Sequence, residues 1–158
     1  SFRPFAPAVL AEDASRFFEL EGRSPYMLLV ADIAENQRRP TNVGSEPLSG
    51  FDLLQLERSS IPAVTHVDNS ARVQTVHQEN SPIFYKLLTE FKNQTGCPLL
   101  INTSFNVRGE PIVESPNDAF RCFMGTDLDL LVIGNMILRK DDQDCQHATS
   151  HKGLYEPD

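Results

Sequence analysis

Small hydrogen-bonding side chains are concentrated directly after a short apolar run in the stretch PLLINTSFNVRGEPIV, residues 98–113. Asn102, Thr103, Ser104 and Asn106 together offer two amides and two hydroxyls without adding charge. In a turn, the backbone N–H groups beside them can also point outward and form an anion-binding nest. With an arginine nearby, such a loop predicts a site for a phosphate or carbamoyl group. The alternative is a polar loop whose Asn and Ser side chains satisfy only their own backbone.

A second set of candidates lies in THVDNSARVQTV, residues 65–76. Arg72 falls in an apolar strand pattern, where a guanidinium needs a partner and its planar fork suits phosphate or carboxylate. A structural salt bridge with one of the 22 acidic residues is the alternative. His66 is a candidate base or ligand, although a lone histidine is more often only hydrogen-bonded. Arg3, directly before Pro4, is a third candidate, with a solvated terminal charge as its alternative.

Three helices are expected to position these residues, because apolar side chains recur three and four residues apart between capping signals. They are 11–20, 82–95 and a helix that starts at Pro116. The second has Ser81 and Gly96 as caps, and its apolar side is Ile83, Phe84, Leu87, Leu88 and Phe91. The third begins with a capping-box variant of Ser115 and Asp118.

Short apolar runs between turn residues predict the strands. They are 26–33, which is expected to be largely buried, 64–68, 71–76, 99–102, 128–134 and 136–140. The pair 64–68 and 71–76 is predicted to form a hairpin, and a further short strand is expected at 111–113, where an apolar run resumes after a turn. The opening stretch 2–10 is predicted to be a strand, or a linker that follows an upstream segment. Residues 35–60 form a long loop or insertion with a short helix at 51–57.

This order of elements predicts an α/β fold with a mixed twisted sheet and flanking helices. In such sheets ligands gather beyond the carboxyl ends of strands, which is where Asn102–Asn106 would lie. The chain has no GxxxxGK[ST] loop and no GxGxxG motif. Cys145, His147 and His151 lie close together on a polar tail, so no metal site is expected there.

Composition limits the function classes. A chain of 158 residues suits one domain with a core, and 40% hydrophobic residues with 23% charge are ordinary for a soluble globule. The net charge of −8 argues against nucleic acid as a partner. No apolar run approaches the roughly 18 residues of a membrane span. Three cysteines without paired spacing, and no leader sequence, favour a reducing, cytoplasmic location.

Four long blocks, FRPFAPAVL, SPYMLLVADI, IPAVTHVDNSARVQTV and PLLINTSFNVRGEPIVESPNDAFRCFMGTDLDLLVIG, resemble the C-terminal domain of the NodU/CmcH carbamoyltransferases. The resemblance covers residues 1–140, with a local insertion near 35–60, and leaves 141–158 as a polar tail. It implies a YrdC-like fold that forms carbamoyl-adenylate from carbamoyl phosphate and ATP, with Mg²⁺ on the nucleotide. Transfer to a natural-product hydroxyl would occur in an N-terminal actin-like domain, which holds iron where the family pattern is kept.

The resemblance also implies roles for individual residues. Ser104-Phe105-Asn106 matches the S-x-N element of YrdC-like domains, whereas the K-x-R element of the family would precede Ser1. The chain is therefore expected to be a fragment that is truncated on its N-terminal side and is inactive or weakly active alone. The candidates split into two groups: Arg72, Ser104 and Asn106 for catalysis, and Arg3, His66, Asn102 and Thr103 for binding substrate or nucleotide.

Two functions from other classes remain open at this stage. One is a non-catalytic nucleotide-binding or interface module that docks to an N-terminal domain. The other is a threonylcarbamoyl-adenylate synthase, although the blocks resemble the natural-product carbamoyltransferases instead. A homodimer is also kept open.

Overall fold

Apolar strands and capped helices form two units, Ser1–Thr103 and Ser104–Asp158, and each is described by itself. The computed structural model describes residues 5–40, 56–107 and 109–144. Arg3, most of the helix expected at 51–57 and the tail from Cys145 lie outside these ranges. The expected α/β class with a mixed sheet and flanking helices is confirmed. Within the described ranges, no helix is long and apolar enough to cross a membrane.

The first unit is built on a four-stranded sheet. Its strands are β1 (Ala6–Leu10), β2 (Leu29–Asp32), β3 (Ser70–Val76) and β4 (Leu99–Asn102), in the order β2-β3-β1-β4. β1 runs parallel to β3, and the β1–β4 and β2–β3 pairs are antiparallel. All five residues of β1 are buried, since this strand has a neighbour on each side and packing on both faces. Residues 6–10 of the opening stretch thus form a central strand.

Both faces of the sheet carry a core. One face packs on the short helix α1 (Ala14–Phe17) and on Phe18, in a cluster with Val9, Val73 and Leu99. On the other face, Leu10 and Val76 pack against Leu88 of helix α2 (Pro82–Thr95). α2 starts after Ser81 and ends at Gly96, as the sequence predicts, because Gly96 takes a φ of 77° that favours glycine. Ser81 stands at the N-cap position without a side-chain hydrogen bond to the helix.

The second unit combines helix α3 (Pro116–Gly125) with the antiparallel strands β5 (Leu130–Ile133) and β6 (Met136–Arg139). The predicted capping box is confirmed: Ser115 accepts from the backbone N–H of Asp118, whose side chain reaches back. Phe123 and Leu131 lie in its core. At the end of α3, Lys140 Nζ donates to the carbonyls of Phe123 and Thr126 and lies 4.2 Å from the Phe123 ring centroid.

Three local expectations are wrong for reasons of tertiary packing. The helix expected over 11–20 is a 3-10 turn, Ala11–Asp13, followed by α1, and it stops because Phe18 becomes extended and pairs with Ile33. No strand forms at 111–113, where Val113 N–H donates to the Phe105 carbonyl instead. The expected apolar stripe of α2 is only partly buried: Ile83 and Leu87 are 86% and 56% exposed.

The strands expected at 26–33 and 64–68 are also corrected. The first is the four-residue β2 at the edge of the sheet, so it is not largely buried, and Tyr26 is 76% exposed. The second is not a strand: residues 62–64 form a 3-10 turn, and His66 N–H donates to the Ser70 carbonyl across a tight turn. β3 therefore pairs with β1 and β2, and the predicted hairpin does not form.

Candidate functional site

Alternation along β3 places polar side chains on one face of the sheet. Ala71 and Val73 are fully buried in the core, whereas Arg72 between them is exposed. Because successive side chains of a strand point to opposite faces, Ser70, Arg72 and Gln74 share the face opposite that core. Val76 lies on this same face and packs against α2, so the exposed Arg72 lies on a part of the face that the helix does not cover.

The register extends this polar face across the sheet to β4. Gln74 is level with Ala8 of β1, and Asn102 is level with Ala6. Asn102 Nδ2 donates to Gln74 Oε1 at 2.6 Å, so the two side chains bridge over the alanines of the central strand. A larger side chain at either alanine would occupy the path of this bridge.

Gln74 is the member of this face that the sequence analysis missed. Its Nε2 donates to the Pro25 carbonyl at 3.1 Å while its Oε1 accepts from Asn102, so both ends of the amide are held. Because Asn102 uses its nitrogen in the bridge, its Oδ1 is the group that it can offer to a ligand. The alternate spacing of Arg72 and Gln74 in a strand is the signal that would have identified Gln74.

Arg72 brings an unneutralised positive charge to this face. It forms no salt bridge with any residue in 5–40, 56–107 or 109–144. Its partner on β2 is the apolar Val30. If the β1–β3 register is continued, Arg72 is level with Ala6 and hence with Asn102, roughly 10 Å away at two strand spacings. A phosphate between them would meet a guanidinium on one side.

His66 joins the same face through Ser70. Ser70 Oγ donates to Asp68 Oδ1 at 2.7 Å, so it must accept from His66 Nδ1, which lies 3.0 Å away. Hydrogen bonds from the Ser70 side chain and backbone, helped by the charge of His66, lower the pKa of Asp68. This network fixes the orientation of the ring and leaves Nε2 as the nitrogen that can meet a ligand. His66 is thus both structurally hydrogen-bonded and next to the polar face.

The S-x-N element lies at the start of the second unit. Thr103, the last residue of the first unit, and Ser104 are both exposed, so their hydroxyls can meet a ligand. Asn106 is partly buried, and its Nδ2 donates to the carbonyls of Val107 and Glu110 at 3.2 and 2.9 Å. Its nitrogen therefore holds a turn, and its Oδ1 is the atom left for recognition.

Glu110 is the acidic residue of this turn and was also missed by the sequence analysis. It is buried, its Oε2 accepts from Val107 N–H at 3.1 Å, and its own N–H donates to the Val107 carbonyl at 3.0 Å. Gly109 has a φ of 81°, a conformation that favours glycine, and it lets the chain reverse directly before Glu110. The order Arg-Gly-Glu-Pro indicates a turn, but only the tertiary structure shows the carboxylate buried.

Cys122 of α3 lies beside this turn, and the burial of its thiol can be tested chemically. Desolvation, with a hydrogen bond to Glu110, raises the pKa of the Cys122 thiol to about 11. Because the thiolate is the reactive form, we expect iodoacetamide at pH 8 to alkylate the half-exposed Cys97 while sparing Cys122. Mass spectrometry of a Cys145→Ser variant would measure this, and both thiols should react after unfolding. Rapid labelling of native Cys122 would show that the second unit opens readily.

Within the described ranges, no group of three or more His, Cys, Asp or Glu residues is arranged to hold a metal ion.

Among the predicted site residues, the structure brings Arg72, Asn102 and, through Ser70, His66 to one face of the first unit. It places Ser104 and Asn106 in the second unit, and Arg3 lies outside the description.

Comparison with known proteins assigns the chain to a family. Residues 1–140 match the family described as Carbamoyltransferase C-terminus. The chain is 57% identical over 143 residues to an uncharacterised protein of Synechocystis, covering 90% of this chain and 23% of that protein. It is 40% identical to nodulation protein NolO of Bradyrhizobium diazoefficiens, covering 89% of this chain and 22% of that protein.

A relative with a named activity is the 3'-hydroxymethylcephem-O-carbamoyltransferase of Amycolatopsis lactamdurans. It is 31% identical over 134 residues, covering 85% of this chain and 22% of that enzyme. The chain thus spans between a fifth and a quarter of the length of these relatives. The match over 140 residues, together with these relatives, shows that the chain belongs to the carbamoyltransferase family and corresponds to its C-terminal domain.

Proposed function

We propose that this chain is the part of an ATP-dependent O-carbamoyltransferase that forms carbamoyl-adenylate from carbamoyl phosphate and ATP. An N-terminal actin-like domain of the same protein would then transfer the carbamoyl group to a natural-product hydroxyl. Family membership supports the transferase class. The observation that carries the adenylation step is the exposed, unneutralised Arg72 on the polar face of β3.

The chemistry requires cations and oriented neutral donors. Carbamoyl phosphate and ATP are both polyanions, so bringing them together needs charge neutralisation before any bond is made. Arg72 can neutralise phosphate oxygens with two parallel N–H donors. Magnesium would be held mainly by the nucleotide phosphates and water, as is usual for this ion. Asn102 Oδ1 and the hydroxyls of Thr103 and Ser104 can orient the uncharged part of the substrate.

The deciding experiment measures pyrophosphate release from ATP in the full-length protein with and without carbamoyl phosphate. Release that depends on carbamoyl phosphate is expected, while residues 1–158 alone should fold but turn over poorly. Nucleotide binding without pyrophosphate release in the full-length protein would show a binding or interface module and overturn the proposal. Robust turnover by residues 1–158 would overturn the expectation that the upstream part is needed.

Ser104→Ala tests the role of the exposed hydroxyl. It removes one neutral donor and little volume, and such a hydrogen bond contributes about 0.5–1.5 kcal/mol in general, and more where it acts only in the transition state. We expect adenylation to slow roughly ten-fold or more, with a nearly unchanged melting temperature because Ser104 is exposed. Transfer from supplied carbamoyl-adenylate should be normal. Loss of that transfer with intact pyrophosphate release would place Ser104 in the other step.

A further inference from the structure

A turn directly before β2 is fastened to β3 by four hydrogen bonds. Ser24 N–H donates to Thr75 Oγ1 at 2.9 Å, and Ser24 Oγ donates to the Val73 carbonyl at 2.8 Å. The Ser24 carbonyl accepts from the Thr75 N–H at 2.9 Å, and Gln74 Nε2 donates to the Pro25 carbonyl at 3.1 Å. Because Ser24 is buried, water does not compete for its bonds, and the turn is held firmly against the strand.

This turn presents Tyr26 to solvent. The Tyr26 side chain is 76% exposed, although the backbone on either side of it is fixed. Met27 has a φ of 57°, a left-handed conformation that a residue with a side chain adopts only where its surroundings impose it. The aromatic ring is therefore carried on a prearranged support, which lowers the entropy cost of a contact with a ligand.

Two apolar side chains continue this exposed surface from Tyr26 to Arg72. Leu28 and Val30 are 80% and 61% exposed, and Val30 is the partner of Arg72 in the β2–β3 pair. Side chains two residues apart in a strand share a face, and so do paired residues of neighbouring strands, so Leu28 and Val30 lie on the face of Arg72. Tyr26, Leu28 and Val30 thus form an apolar strip that ends at a guanidinium.

The two ends of the apolar strip suit the two ends of a nucleotide. A base stacks on an exposed aromatic ring and needs no enclosed cavity, while a guanidinium binds phosphate. Tyr26 lies four residues before Val30, which is at most about 14 Å of chain, and an extended nucleoside triphosphate can span this distance. The net charge of −8 disfavours a polynucleotide, so the ligand expected on the strip is a single nucleotide.

We propose that the adenine ring of ATP stacks on Tyr26, with Leu28 and Val30 as the apolar surface beside it, while Arg72 binds the phosphates. This inference rests on the proposed function and assigns the recognition of the base to residues that neither the motifs nor the spacing of the sequence indicated. Tyr26 becomes the residue that distinguishes ATP from a phosphate chain without a base.

Inorganic tripolyphosphate is the matched probe, because it keeps the three phosphates of ATP and lacks the base. Isothermal titration of the full-length protein should show a preference for Mg-ATP over Mg-tripolyphosphate. Tyr26→Ala should weaken the binding of Mg-ATP about 5- to 150-fold, the usual effect of losing one base–aromatic stack. Its Kd for Mg-tripolyphosphate should be unchanged, which also shows that the variant is folded. Tyr26→Phe keeps the ring and should bind both ligands as the wild type does.

Leu87→Ala is the control, since it removes another exposed apolar side chain, from helix α2, and should leave both Kd values unchanged. Failure of the wild type to bind Mg-ATP would overturn the proposed function and with it this inference. Equal binding of the two ligands by the wild type would overturn this inference alone. Equal weakening of both ligands in Tyr26→Ala would also overturn it, because Tyr26 would then only support the turn. So would an unchanged preference with a lower melting temperature, which would make the apolar strip an interface with another part of the protein.

Discussion

Arg72→Ala in the full-length protein should slow carbamoyl-phosphate-dependent pyrophosphate release by roughly 30- to 1000-fold. This corresponds to about 2–4 kcal/mol, the contribution expected of a charged, two-pronged contact to a phosphate in the transition state. The fold should be unaffected, because Arg72 is exposed and its buried neighbours Ala71 and Val73 are unchanged. Steady-state rates and a thermal melt of the same preparation measure both parts.

Two variants sharpen this test. Arg72→Lys keeps the charge but loses the planar fork, so it should recover only part of the rate. Arg139→Ala removes an exposed strand arginine from β6 in the second unit and should leave the rate unchanged. If Arg72→Ala instead lowers the melting temperature and the folded fraction retains normal activity, Arg72 has a structural role and the proposed phosphate contact is wrong.

Phe123→Ala should destabilise the second unit by about 3–5 kcal/mol, the usual loss when a buried aromatic ring leaves a cavity. Phe123 is fully buried among Ala119, Met124 and Leu131, and its ring lies under the Lys140 ammonium. Since whole domains are stable by only about 5–15 kcal/mol, this loss should be visible as faster hydrogen exchange in α3, β5 and β6. Amides of β1 and β3 should keep their protection.

The matched variant is Phe18→Ala, which removes an aromatic ring of similar burial from the core of the first unit. It should give the reverse pattern, with faster exchange in β1 and β3 and protected amides in α3. Equal acceleration everywhere in both variants would show one cooperative core and would contradict the independence of the two clusters. Hydrogen exchange followed by mass spectrometry resolves the two patterns peptide by peptide.

Helices α2 and α3 could be predicted from the sequence because their boundaries depend on neighbouring residues. Pro116 follows the Ser115 N-cap, Asp118 completes the capping box, and Gly96 ends α2 by taking a left-handed conformation. Such signals act within a few residues, so no tertiary information is needed.

Elements whose form depends on distant partners could not be predicted in this way. Phe18 leaves the helical pattern because it pairs with Ile33, and the segment before β3 becomes a turn. β2 is shorter and more exposed than its apolar sequence suggests because it is the edge strand of the sheet. Each outcome depends on which strand lies next to which, and short apolar runs alone do not contain that information.

For the candidate site, the sequence by itself determined the residue types: the arginine in an apolar strand, the run of neutral donors after β4 and the S-x-N element. Only the tertiary structure decided that Arg72, Gln74 and Asn102 share one face, and that the Asn106 nitrogen holds a turn around a buried Glu110. The physical reason is the separation in sequence over which each kind of interaction acts. Alternation and capping act between near neighbours, whereas the parallel β1–β3 and antiparallel β1–β4 pairings join segments that are far apart in the chain.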